Sequence, residues 1–182
     1  MIKNYTKNPG FWIVMLVLTL LPLKTTAQNT QSAIPRDTLL LAAREIMASM
    51  HYCALVTIDS TGKPQVRTMN PFPQSNEKVI WFATSRKSRK VTDIKKNPNV
   101  CVYYSDMINA KGYVTITGTA VVIDDKELLV QMKRSYWEGI PDWQNRFVLI
   151  KITAKTLDVT NYAHGVSGDA ETSRAPRIEV GE

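Results

Sequence analysis

From residue 37 onward the apolar positions recur first with a helical period and then, from Tyr52, with a period of two. Leu39, Leu40, Ala43, Ile46, Met47 and Met50 share one face of a helix that Asp37 is placed to cap. Alternating and β-branched residues then predict strands over 52–59 and 65–70, joined through Ser60-Thr61-Gly62-Lys63-Pro64 as a hairpin. Pro71 and Pro73 end the second strand, and further strands are predicted over 78–84, 100–104 and 112–123. Asp124 and Asp125 cap a helix carrying Leu128, Leu129 and Met132, and a last strand covers 146–159. Six or so strands, with helices at the first and penultimate positions, predict a mainly β fold with flanking helices. An antiparallel barrel closed on itself fits that order better than a sandwich or a parallel βαβ sheet.

The start of the chain follows another pattern. Lys3 and Lys7 precede an apolar run from Phe11 to Leu21, then Pro22 and the small-residue end Thr25-Thr26-Ala27. This predicts a secretory signal peptide over 1–27 and an exported, periplasmic or extracellular, chain. The run is well short of the roughly 20 residues a spanning helix needs, so no stable membrane anchor is expected after cleavage. Removal of that segment lowers the net charge from +7 to +4 and leaves 155 residues, enough for one domain with its own core. A flexible leader is expected over 28–36, the folded domain over 37–160, and an extended or partly disordered arm over 161–182. The positive balance is modest and scattered, which argues against a nucleic-acid partner.

Cys53 and Cys101 lie in apolar strand-like runs and read as two buried thiols, although an exported location also permits a bridge. His51 and His164 have no second ligand at metal spacing, so no metal site is expected.

The chemistry concentrates between Trp81 and Tyr104. Thr84 and Ser85 place hydroxyls at the end of a strand, and Arg86, Lys87, Arg89 and Lys90 follow before a short helix that Ser88 is placed to cap. Hydroxyls, cations and helix N–H groups converging on one loop suit a phosphate, with Arg for two-pronged contact and Lys as a point charge. A solvated basic loop is the alternative, and for Arg67 an exposed cross-strand position.

The order of these features resembles the flavin-binding split barrels, the family of pyridoxamine 5′-phosphate oxidase and the general stress protein 26 group. It rests on VRTMN at 66–70, the Ser88-Arg89-Lys90 loop, Asn97-Pro98, GYVTITGTAVVIDD at 112–125, and Trp137 with Gly139. The resemblance implies a six-stranded antiparallel split β-barrel that acts as a homodimer and holds FMN at the dimer interface. Arg67, Ser88, Arg89 and Lys90 would take the phosphate, Thr68, Met69 and Asn70 would run along the isoalloxazine edge, and Thr84 and Ser85 would reach the phosphate or ribityl chain. Trp137 is the one aromatic it suggests as a ring wall. Phe72 stands where true pyridoxamine phosphate oxidases carry a substrate-binding Lys, so oxidation of the vitamin phosphate is not implied. What is implied is an FMN-dependent oxidoreductase of unspecified substrate. A non-catalytic binder of flavin or another planar anion is the alternative, and a deazaflavin or haem is the alternative ligand.

Overall fold

The computed structural model describes residues 34–74, 76–106 and 108–180. The predicted signal peptide and most of the leader lie outside the described residues. Among those described, no helix is long and apolar enough to cross a membrane.

Helix α1 (Arg36–Ser49) leads into the strands β1 (Cys53–Ile58), β2 (Pro64–Met69) and β3 (Val79–Ser85). Then follow α2 (Arg89–Lys96), β4 (Asn99–Ser105), β5 (Gly112–Ile123), α3 (Lys126–Gln131), α4 (Trp143–Arg146), β6 (Phe147–Asn161) and β7 (Arg177–Glu179). The main sheet has the order β2-β1-β4-β5-β6-β3, with every pairing antiparallel. It curls into a half-barrel, the split form of the predicted architecture. Its two end strands, β2 and β3, form no ladder with each other; the Phe72 N–H donating to the Trp81 carbonyl at 2.9 Å joins their flanks.

Alternation explains what each strand buries. Leu55, Phe82, Val102, Ile116, Ile150 and Leu157 point inward and are fully buried. Each contributes about 1.5–3 kcal/mol by leaving water. Helix α1 covers this core with Leu39, Ala42, Ala43, Ile46 and Met47. Asp37 lies in its first turn and makes no cap, since the helix starts one residue earlier, after Pro35. Asp125 does cap α3, accepting from the Leu128 N–H at 2.9 Å. The long β5–β6 ladder shifts register between Thr117 and Gly118, where a Cβ on Gly118 would stand 2.2 Å from the Thr153 carbonyl oxygen. Only glycine lets the two backbones approach so closely there.

The C-terminal segment is extended but firmly seated. β7 pairs with β6, Val166, Ile178 and Val180 are buried, and the Arg36 guanidinium donates to the Glu179 carbonyl at 2.8 Å. Its apolar residues are few but spaced to meet the core, so partial disorder is not what the described residues show. The two cysteines are free and occupy opposite faces of the sheet. Cys53 is buried, and burial pushes its thiol up to about 12. Cys101 is only half-buried, so the expected pair of buried thiols is met by one.

Candidate functional site

The seam between β2 and β3 gathers the polar chemistry. On β2, Gln65, Arg67 and Met69 alternate toward the inner side, opposite Thr57 and Leu55 of β1. Arg67 donates through Nη1 to the Thr57 hydroxyl at 2.7 Å, and Thr57 donates to Asp93 Oδ2 at 3.0 Å. Arg67 Nη2 also lies 3.6 Å from that carboxylate oxygen. Asp93 is buried on α2, so the hairpin and the helix are tied by one buried polar chain.

From β3 and the loop after it, the Lys90 ammonium donates to the Thr84 hydroxyl at 2.9 Å, and Thr84 and Ser88 hydroxyls stand 3.3 Å apart. Ser88 is the N-cap residue of α2 as predicted, but its side chain makes no cap bond and turns to Thr84 instead. Arg89 donates to Gln65 Oε1 at 2.7 Å, bringing the loop back onto β2. Arg67, Arg89 and Lys90 thus approach one another, and among the described residues Asp93 is the single carboxylate among their contacts. Burial lowers the Lys90 pKa, and the neighbouring Arg67 charge lowers it further. Burial likewise lowers that of Arg67; Asp93 opposes the shift and Arg89 adds to it. Cations that depress each other in this way leave positive potential for an anion to neutralise.

The predicted residues do not all meet there. Arg67, Thr84, Ser88, Arg89 and Lys90 converge. Ser85 is exposed at the end of β3, and Thr68 is exposed on the outer side of β2. Met69 turns into the main core, and Asn70 lines a neighbouring cleft while its carbonyl accepts from Arg134 Nη2 at 3.2 Å. Trp137 is 1 % exposed, enclosed by Phe72, Trp143 and Phe147 in a second core cluster, so in this chain its rings serve packing. Arg86 is drawn off to Asp124 and the Asn145 carbonyl. Thr57, Gln65 and Asp93 are the residues that sequence reasoning missed. The alternation Cys53, Leu55, Thr57 carried a signal for the first, since it sets a polar side chain at an inward position.

The sequence model of the pyridoxamine 5′-phosphate oxidase family matches residues 40–161. The chain belongs to that family. The matched span runs from α1 through β6 and contains every residue of the seam. Among solved structures, the chain is similar to a protein from Clostridium acetobutylicum related to general stress protein 26. The two are 17 % identical, the match covers 80 % of this chain and 97 % of the other, and the TM-score is 0.66. General stress protein 26 of Bacillus anthracis is similar at 23 % identity and a TM-score of 0.60, covering 78 % of this chain and 98 % of the other. At such identities the likeness shows the split-barrel fold. Among curated proteins none matches the chain.

Proposed function

We propose that the protein is an exported, homodimeric FMN-binding oxidoreductase of the pyridoxamine 5′-phosphate oxidase family. The observation that carries the flavin part is the cluster of Arg67, Arg89 and Lys90, whose charge exceeds its single carboxylate, at the β2–β3 seam. A phosphomonoester dianion fits that excess. Lys90 and Arg89 would supply direct charge, the Thr84 and Ser88 hydroxyls would donate hydrogen bonds, and Arg67 would contribute from its anchored position beside Thr57. When bound, FMN supplies a centre for transfer of an electron pair. The chain's own part would be to fix the phosphate end at the seam; Thr68 and Met69 turn their side chains away, so the backbone of 68–70 and Asn70 would be what is left for the ring.

The outer face of the sheet supports the dimer. Val66 is 67 % exposed there, beside half-buried Val56, Ile58, Cys101, Tyr103 and Tyr113 on β1, β4 and β5. These apolar positions, interleaved with Thr68, Thr115 and Thr117, suit a second copy of the chain. Export rests on the N-terminal pattern of charge, apolar run and small residues.

The test is an absorbance spectrum of the purified chain after incubation with FMN and desalting. Flavin bands should be retained by the wild type and lost from Lys90→Ala. A wild-type chain that keeps no flavin, or a Lys90→Ala chain that keeps it fully, overturns the assignment.

A further inference from the structure

A second concavity lies beside the seam. A cleft of about 640 Å³ opens between the C-terminal end of α1, the segment following β2, and Arg134. That volume lies within the roughly 300–1,000 Å³ typical of small-molecule sites. Its apolar walls come from Met47 and Met50 of α1 and from Phe72, flanked by Pro71 and Pro73.

The charges of the cleft do not cancel. Arg44 Nε donates to Glu77 Oε2 at 2.8 Å, and the Glu77 side chain is only 6 % exposed. The bond from Arg44 holds the Glu77 carboxyl below the ordinary carboxylate range in spite of its burial, so this pair is ionised and neutral in sum. Arg134 is different. Its guanidinium lies over the Phe72 ring at 4.3 Å from the centroid, and Nη2 donates to the Pro71 carbonyl at 2.7 Å. These contacts fix its position without neutralising it, and among the described residues no carboxylate pairs with it. Gln74 and Tyr104 add a neutral pair, Nε2 donating to the hydroxyl at 2.7 Å.

We propose that this cleft binds a small organic monoanion, a carboxylate carried on a flat apolar body, with Arg134 receiving the carboxylate. A single uncompensated cation matches one negative charge. A dianion would remain half-neutralised and would face the Glu77 carboxylate. The apolar walls of sulfur, proline and ring atoms suit a flat body, and the neutral polar groups beside them, Ser49, Asn70, Gln74 and Asn76, leave the charge of Arg134 to select an anion. Asn70 is the one residue shared with those predicted to hold the cofactor, and the proposal does not depend on flavin being bound.

The probe is 1-naphthoate, with its neutral amide as the isostere, titrated calorimetrically into the purified chain. Naphthoate should bind saturably in the millimolar range or tighter, and the amide at least about tenfold more weakly, because a charge-assisted bond is lost. Arg134→Gln should weaken naphthoate by a similar factor. Since Arg134 also holds the 70–71 backbone, Ala48→Trp is the second variant; it fills the cleft from α1, leaves Arg134 in place, and should also abolish binding. Lys90→Ala should leave naphthoate binding unchanged while removing any flavin, which separates this proposal from the cofactor assignment. Equal affinity for acid and amide, no saturable binding by wild type, indifference to either cleft variant, or loss on Lys90→Ala would each overturn it.

Discussion

Arg67 is tied into the fold before any ligand arrives, and its replacement by methionine makes that testable. The guanidinium lies 3.6 Å from Asp93, with side chains 18 % and 5 % exposed respectively. Coulomb's law at that distance, with an effective dielectric constant of about 20, gives a gross attraction of about 4.6 kcal/mol. Part of this returns when the guanidinium no longer has to be dehydrated, and Thr57 still donates to the remaining carboxylate. A net loss of about 3 kcal/mol follows, at the low end of what breaking a buried pair from one side costs. Urea unfolding of the wild type, Arg67→Met, Asp93→Asn and the double variant completes a cycle. The double variant should recover at least about 1.5 kcal/mol relative to the sum of the singles, with an unchanged slope. A coupling within about 0.5 kcal/mol of zero would show that the two groups do not support each other, and the anchored role of Arg67 would be wrong. The result also bears on ligand studies, because loss of flavin on changing Arg67 mixes binding with stability.

Lys90 is the cleaner probe, and its replacement should reveal a conflict between stability and binding. Its pKa is lowered by burial and by Arg67, so the folded chain holds that proton less tightly than the unfolded one. The charge therefore costs stability below the folded pKa, and the cost fades as pH rises through that value towards the ordinary one. Lys90→Met should raise the thermal midpoint of the ligand-free chain at pH 7, with a smaller gain at alkaline pH; a lowered midpoint counts against the reading. Trp137→Ala should destabilise by about 3–5 kcal/mol, as for other large buried aromatics, without removing any group from the seam. A loss under about 1 kcal/mol in urea would contradict its place in the core. Asp59 accepts from the Thr61 hydroxyl, from the Lys63 and Thr61 N–H groups and from Gln65, which lower its pKa to about 2. Its contribution to the hairpin should be complete above the usual carboxylate range of about 3.9 and lost as pH falls through about 2. A carboxyl ¹³C titration should place the midpoint there, and Thr61→Ala should move it upward; a wild-type midpoint near the ordinary value would refute the network.

Most of the fold was legible because its strands are amphipathic. Alternation predicted 112–123 as one strand, which is β5, and the limits of β1–β4 and β6 fall within a residue or two of prediction, while β7 was not foreseen. The seam was half legible. Ser88, Arg89 and Lys90 stand out as a run, but charge density cannot say that Arg86 leaves it for Asp124. Asp93 was hidden by its position one residue from the Val91 and Ile94 stripe of α2, where a solvated acid is the usual reading. Trp137 shows the converse failure, since indole suits a ligand wall and a core equally, and only packing against Phe72, Trp143 and Phe147 distinguishes them. The arm after Asn161 was legible only as extended or partly disordered, because Val166, Ile178 and Val180 are isolated among polar residues and form no periodic signal.

The seating of β7 has a consequence for the exposed edge of β6. Along the same flank of β6, residues 147–153 are paired by β3 and residues 156–158 by β7. The fourteen-residue α1, the first described helix, is meanwhile bound through Arg36 to the backbone of Glu179. Six strands can therefore assemble and still present a bare stretch of β6 until residues 177–179 dock. Such an edge is a template for other strands. Chains lacking Arg177–Glu179 should accumulate as aggregates or protease substrates, so three residues guard this stretch of β6 against self-association.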